Sequence, residues 1–508
     1  MNPTADILLC TLNSTYQHSS FGLRYLYANL GELQSRAKIL ESTIKENPRN
    51  FVEKILSHRP RIVGLSVYIW NTLETLETIM LLKKVSPDTL IVLGGPEISY
   101  ETETQEHLKW ADYVIKGEAD FSFREFCLDV LVRDQKPSGQ IIAAELPEIN
   151  QILMPYRLYS DDDIKNRVIY VEASRGCPYK CEYCLSSLDK SVRSFELDGF
   201  LNEMQLLLDR GVRTFKFVDR TFNLSPTTST QILKFFLERI ELGLFLHFEL
   251  VPDRLPVEIR DLIKFFPAGS LQFEVGIQTL NPVVAKNISR NNNLAKVAEN
   301  FTFMREHTHV HTHADLIVGL PGETLESFAA GFDQLALYGP DEIQVGILKR
   351  LKGTPISRHE VAFKMKYSEA PPFQIISTTT MDYVTLQKMN RFAKFWDLYA
   401  NSGEFKNFMI WLRASSGSSF FNKFFNFSEY LSNSFNDTHS LSLVSLAEKA
   451  WLYMLQNGVS EEEAAAMIEK DYSYGSKRRD TPNFIKKQNP KIAASSTSLN
   501  QRQLRHLT

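Results

Sequence analysis

Three of the five cysteines in this 508-residue chain fall within eight residues, in the stretch EASRGCPYKCEYCLSS. Cys177, Cys181 and Cys184 are spaced Cys-x-x-x-Cys-x-x-Cys, directly after a strand-like run. Five is an odd number and the spacing is too tight for a disulfide framework, so the thiols point to metal or redox chemistry in a reducing compartment. A structural zinc site wants four ligands and normally brings a second Cys or His pair at close range. A 4Fe–4S cluster accepts three protein thiolates and leaves one iron open to a small molecule. Arg175, Gly176 and Pro178 suit a loop that wraps a cluster, and Tyr183 supplies an aromatic wall. Cys10 and Cys127 sit in apolar strand-like and helix-like runs and read as inert, buried side chains.

Such a loop needs a frame. Residues 1–135 alternate strand-like segments (DILLCTL, AKILES, RIVGLSVY, LIVLGG, ADYVIKGE) with helical ones, which predicts a doubly wound, Rossmann-like parallel sheet of five strands. Ligands bind beyond the carboxyl ends of the strands in such sheets, and those ends carry LNSTYQHS, SVYIW, GGPE and KGEAD. Residues 136–167, with several prolines and the acidic run SDDD, read as a linker. Over 168–362 six strand–helix units follow, enough for a partial (β/α)6 TIM barrel with a mouth at the strand C-termini. Residues 363–474 read as a helical C-terminal domain, with a capping box from Ser460 to Glu463. Residues 475–508, with eight Lys or Arg against one Asp, read as a flexible basic tail.

A net charge of −3 offers no basic field for nucleic acid, and no window approaches the roughly 18 apolar residues of a membrane span. A soluble cytoplasmic protein with no membrane contact is the expectation.

The cysteine spacing, with an aromatic residue before the last cysteine, resembles the signature of radical S-adenosylmethionine (SAM) enzymes. FEVGIQTLN resembles that family's Gly-Ile-Gln-Ser motif, and DLIVGLPGET its motif near the adenine. Asp219-Arg220, in FKFVDRTFN, stands where the family usually has Gly-Gly-Glu at the methionine amino group. GLSVY, LGGPE and VIKGEAD resemble the cobalamin-binding domain fused to one branch of this family, in a subgroup with its own C-terminal domain.

The resemblance implies three cofactors: a 4Fe–4S cluster on Cys177, Cys181 and Cys184, SAM on its open iron, and cobalamin on the N-terminal domain. It implies reductive cleavage of SAM to a 5′-deoxyadenosyl radical, with electrons from an external donor such as flavodoxin or ferredoxin. Tyr183, Asp219, Arg220, Glu249, Gly276, Gln278 and Gly319 are the expected SAM contacts. Ser66, Gly94, Gly95, Gly117 and Glu118 are the expected cobalamin contacts. His18 could touch the corrin, but Tyr16 and Phe21 replace the Asp and Gly of the Asp-x-His-x-x-Gly motif. Cobalt without a histidine ligand is therefore expected.

The simplest implied function is methyl transfer to an unactivated carbon of an unidentified substrate, more naturally a small molecule. The alternatives are a cobalamin-assisted rearrangement or cyclisation, and a cobalamin or redox sensor. His307, His309, His311 and His313 alternate along one run, so a strand would put them on one face. At roughly 7 Å between neighbours, the plain reading is a solvated strand entry, with His313 nearest the barrel mouth. Phe392, Phe395, Trp396 and Tyr399 of the helical region leave two readings open, a plain helical core or a lid packed over part of that mouth.

Overall fold

The computed structural model describes residues 5–415, 419–435, 441–472 and 482–486. Its first sheet is parallel throughout, in the order β2-β1-β3-β4-β5-β6. The strands are β1 (Ile7–Asn13), β2 (Ala37–Thr43), β3 (Ile62–Ser66), β4 (Leu90–Gly94), β5 (Tyr113–Lys116) and β6 (Ile141–Ala143). β1 is buried along its whole length, as expected of a central strand covered by helices on both faces. Cys10 and Cys127 lie in the two cores that flank this sheet.

Two corrections concern residues 136–167. They supply β6, a sixth strand, whose apolar IIA is only three residues long and half-exposed. The acidic run is the start of a capped helix, Asp161–Asn166, in which Ser160 and Asp163 form a reciprocal capping box. Asp163 is also buried against Arg24, at 2.9 Å, and Arg24 pairs with Glu41 at 2.7 Å. The segment is thus folded onto the first domain.

The second sheet is a six-stranded partial barrel in the order β7-β10-β11-β12-β13-β14, again all parallel. β7 is Ile169–Val171. A short antiparallel hairpin, β8 (Ser174–Arg175) and β9 (Arg193–Ser194), interrupts the first connection. β10 (Thr214–Phe217), β11 (Phe245–Leu250), β12 (Leu271–Gln278), β13 (His311–Val318) and β14 (Glu342–Ile347) complete it. On β12 the apolar residues are buried outward under the helices, while Gln272, Glu274, Gly276 and Gln278 alternate with them on the inner face. The strands therefore enclose a polar interior.

A partial barrel leaves two open edges, and each meets another part of the chain. At the first edge, the Val168 N–H donates to the Gln17 carbonyl at 2.8 Å, extending the loop after β1 alongside β7. At the last edge, the Asn401 side chain accepts from the Ile343 N–H at 3.1 Å and donates to the Ile343 carbonyl at 3.0 Å.

Asn401 belongs to the helical region. Helix Tyr383–Trp396 runs into a π-helical turn, Asp397–Asn401, and is followed by helices Lys406–Ala414, Phe420–Ser434, Leu443–Gln456 and Glu461–Tyr472. The last begins at the Ser460–Glu463 box. Phe392, Phe395, Trp396 and Tyr399 are buried here among one another and Phe421, Phe424 and Phe427. They form this region's core, so the plain-core reading holds over the lid: an aromatic stripe at helical spacing is more strongly driven to bury itself. A short helix, Asn483–Lys486, packs Phe484 on Trp451 at 4.7 Å between ring centroids, so part of the expected flexible tail is docked. The rest of that tail lies outside the described residues. Among the described residues, no helix is long and apolar enough to cross a membrane.

Replacing Asp163 by Ala removes a helix cap and leaves the buried Arg24 with one carboxylate fewer. We expect a loss of about 3 kcal/mol in stability, read from the first urea transition of the full chain.

Candidate active site

The β8–β9 hairpin holds the cysteines. Gly176 opens the loop with φ +92°, and a Cβ there would lie 1.9 Å from the Ser191 carbonyl oxygen, so only glycine fits. The Cys177 N–H donates to the Asp189 carbonyl at 3.1 Å, closing the loop across its neck. Burial raises the Cys177 thiol, and the charges of Cys184 and Cys181 act in the same direction, which places the three thiols in one neighbourhood. Among the described residues, no three His, Cys, Asp or Glu side chains converge on a point that one metal ion could fill. The donor set itself, three thiols on one glycine-necked loop, fits a cluster that spreads its irons over three thiolates.

Two groups absent from the sequence reading support this loop. Arg290, from the turn after the short helix Pro282–Asn287, points one guanidinium N–H at Cys181 Sγ, 3.2 Å away, and another at the Gly276 carbonyl. A fixed cation beside a thiolate stabilises its charged form. Glu182, between two of the cysteines and buried, accepts hydrogen bonds from the Ser289 hydroxyl at 2.6 Å and from Arg358, and pairs with His359 at 2.8 Å. Its backbone is held too, with the Glu182 N–H on the Ile288 carbonyl and the Ile356 N–H on the Glu182 carbonyl. A carboxylate inside the cysteine motif was the available signal for Glu182. Arg290 sits in ISRNNN, which carries no motif.

Asp219 anchors the hairpin from below, accepting from the Ala173 N–H at 3.0 Å and the Ser174 hydroxyl at 2.6 Å. Both of its oxygens are thus engaged in supporting the loop. Arg220 pairs with Glu249 at 2.9 Å at the barrel mouth. At Gly319 (φ +86°) the space a Cβ would take is filled by Ile375, at 2.6 Å. Gly276 makes room for the side chains of Gln278 and Arg290. Gln278 itself ends β12 with φ 71°.

The histidine run is divided between elements. His307 ends a helix and, like His309, is exposed, as the solvated reading has it, while β13 starts at His311, which departs from that reading by being buried against Glu342 at 3.1 Å. His313 points inward and lies 3.6 Å from Asp315. Burial pushes Asp315 well above the usual carboxylate range, and the nearby charges of Glu274 and Glu249 add to this. Glu274 is held low, against its own burial, by the hydrogen bond with His247.

In the N-terminal domain, Ser66, Gly94, Gly95, Gly117 and Glu118 line one cavity of about 300 Å³ at the carboxyl ends of the strands. A Cβ on Gly95 (φ +102°) would lie 2.7 Å from the Val67 carbonyl oxygen. The buried Ser66 hydroxyl has no hydrogen-bond partner, an orphaned donor aimed at a mostly apolar space. This suits a large flat ligand with a few polar atoms on its tail. His18 is not in this cavity; it is exposed, and its Nδ1 meets the Tyr170 hydroxyl at 2.5 Å.

The two sites are joined. Arg175, at the start of the cysteine hairpin, pairs with Glu118 at 2.8 Å, Asp120 at 3.0 Å and Glu172 at 2.9 Å. Arg193 pairs with Glu118. From the chain after β14, Lys352 reaches Glu97 at 2.5 Å and Arg350 reaches Glu101 at 3.0 Å. Acidic loops after β4 and β5 thus meet basic residues at the mouth of the barrel, strand ends towards strand ends.

Burial pushes the Asp219 carboxyl up to about 7 from its ordinary 3.8, against the hydrogen bonds it accepts. Between those two pH values the folded chain binds more protons here than the unfolded one, so this group makes stability fall as pH rises. Asp219→Asn keeps one acceptor and offers one donor to Ser174. We expect that variant to lose this part of the pH slope, measured as melting temperature across the range.

Three family models match the chain: "Radical SAM superfamily" over residues 171–335, "B12 binding domain" over 7–126, and "Protein of unknown function (DUF4080)" over 361–506. An uncharacterised methyltransferase of Pyrococcus horikoshii is 22% identical over 415 residues, covering 74% of this chain and 87% of that protein. The cobalamin-dependent radical SAM methyltransferase TokK of Streptomyces tokunonensis is 25% identical over 342 residues, covering 59% of this chain and 48% of TokK, so the match spans about half of that relative. In fold, the chain is similar to the cobalamin-dependent radical SAM enzyme OxsB with aqua-cobalamin bound, with a TM-score of 0.62 at 14% identity, over 99% of this chain and 83% of that one. A cysteine loop on a partial barrel, a ligand cradle on a doubly wound sheet and these matches agree: the chain joins a B12-binding domain, a radical SAM domain and a helical C-terminal domain of the DUF4080 family.

Proposed function

We propose that this enzyme is a cobalamin-dependent methyltransferase acting on an unactivated carbon of a small molecule, with SAM as co-substrate. The carrying observation is that Glu172 and Arg175, at the root of the cysteine hairpin, also line the cavity of the N-terminal domain. Two cofactors held at these sites would face one shared space. When bound, the cluster and SAM supply a hydrogen-abstracting carbon radical, and cobalamin supplies a transferable methyl group.

The chain's own residues do the holding. Cys177, Cys181 and Cys184 would ligate the cluster. Arg290, already beside Cys181 Sγ, is placed to pair with the carboxylate of SAM, while Glu249, Gln278 and Asp315 on the barrel's inner face offer acceptors and donors for its amino and hydroxyl groups. Ser66 would give its orphaned hydroxyl to the cobalamin tail, with Gly94, Gly95 and Gly117 allowing close backbone approach. The engagement of His18 by Tyr170 supports cobalt without a histidine ligand. An external one-electron donor protein, of the flavodoxin or ferredoxin kind, would reduce the cluster. The shared name of the two relatives, methyltransferase, supports methyl transfer over rearrangement.

The test is product analysis of the reconstituted full chain with SAM, cobalamin, reductant and the small-molecule fraction of a cell extract. Methyl transfer predicts 5′-deoxyadenosine and S-adenosylhomocysteine rising together, and loss of both in Cys181→Ala. 5′-Deoxyadenosine alone would indicate rearrangement or cyclisation. An intact cluster in Cys181→Ala would overturn the site.

A further inference from the structure

The interior of the barrel holds a cavity of about 980 Å³ whose wall comes from two parts of the chain. One side is the inner face of β10–β14, including Lys216, His247, Glu274 and Gln344. The other is the C-terminal helical region, which contributes Asn390, Ala393, Asp397 and Asn401. Among the described residues, the cysteine loop reaches it at Tyr183. Its volume lies at the upper end of small-molecule sites.

The helix that supplies the second wall is two-faced. Phe392, Phe395 and Trp396 face the helical core, while Asn390, Ala393 and Asp397 face the cavity. Spacings of three and four residues put the latter on one stripe. The helix then changes to a π turn at Asp397–Asn401, where Asn401 grips the backbone of β14 at Ile343. Such turns widen a helix and are frequent at functional sites. Here the turn fixes the polar stripe against the open edge of the barrel.

The chemistry of the wall selects its guest. Besides Asn401, whose amide is spent on Ile343, four side-chain amides line the cavity, together with three carboxylates, two lysines and two histidines. Glu274 has a partner of its own, with His247 at 2.9 Å and Lys216 at 4.0 Å, so the fixed charges are largely balanced within the wall. Amides both donate and accept, which matches hydroxyl-rich neutral groups. An excess of carboxylates over lysines opposes a phosphorylated guest.

We infer that this cavity is the substrate chamber, that the C-terminal domain forms its specificity wall, and that the substrate is a neutral, polyhydroxylated small molecule. This rests on the reading of the protein as a radical SAM enzyme for the reaction it serves, but the binding claim is independent of turnover.

Saturation-transfer NMR on the reconstituted full chain tests it with three neutral probes, methyl α-D-glucopyranoside, myo-inositol and uridine, each against its phosphate ester. At least one neutral probe should bind about tenfold more tightly than its phosphate. Asn390→Leu, which removes an amide, and Ala393→Phe, which fills the chamber, should each weaken that probe about tenfold while iron content stays at the wild-type level. In the wild type, the same probe should slow hydrogen exchange across 383–401, a readout that needs no variant. Tighter binding of the phosphates, no binding of any neutral probe, or unchanged exchange across 383–401 would overturn the inference. A protein that binds the probe but neither assembles a cluster nor cleaves SAM would instead overturn the proposed function and leave the chamber standing.

Discussion

The arrangement depends on a buried arginine. Arg175 starts the cysteine hairpin, lies over the Tyr25 ring at 4.5 Å, and is surrounded by Glu118, Asp120 and Glu172. A buried guanidinium is tolerable only with such partners, and they come from two domains, so the cation cannot be satisfied unless the domains are docked. The same pairing draws the loop after β5 towards the cysteines. Arg193 on the second strand of the hairpin repeats the contact with Glu118, which restricts rotation of the hairpin about a single pair.

An unclosed barrel of six strands adds a second constraint. Its edge strands expose backbone groups that must be met, and the chain meets them with its other two parts. Gln17 and His18 extend β7 on one side, and Asn401 binds β14 on the other. The docking that satisfies the edges also sets the walls of the interior. The N-terminal domain brings its cavity to the mouth, and the helical region brings a polar stripe to the open side. Closing the sheet with side chains from other domains leaves the interior wide, where a full barrel would fill it with packed side chains.

The alternation of strands and helices was legible because β1, β3 and β4 are mostly apolar along their length and β4 ends in paired glycines. The cysteine loop was legible because three thiols within eight residues and no fourth ligand nearby suit a 4Fe–4S cluster better than a structural zinc. What the sequence hid has physical causes. β6 is apolar but only three residues long, too short to stand out from a proline-containing connection, and pairing with β5 creates it. Arg290 and Asp315 act through positions in space, since one lies in a polar turn and the other in an inward register of β13. That Gly319 also makes room for Ile375, 56 residues on, is a contact no local pattern shows. The lid reading of the aromatic run around Phe392 had the right helix and the wrong face. Its large rings bury themselves, and the small and polar residues between them, Asn390, Ala393 and Asp397, meet the cavity.

The central claim is that the cluster and cobalt sites open onto one space across the Arg175 bridge. Electron paramagnetic resonance of the full chain loaded with cob(II)alamin tests it most directly, with the cluster either oxidised or reduced. The account predicts that reducing the cluster broadens or splits the cob(II)alamin signal and speeds its relaxation, because two paramagnets facing one cavity couple through space. A cob(II)alamin signal indifferent to the state of the cluster would contradict it.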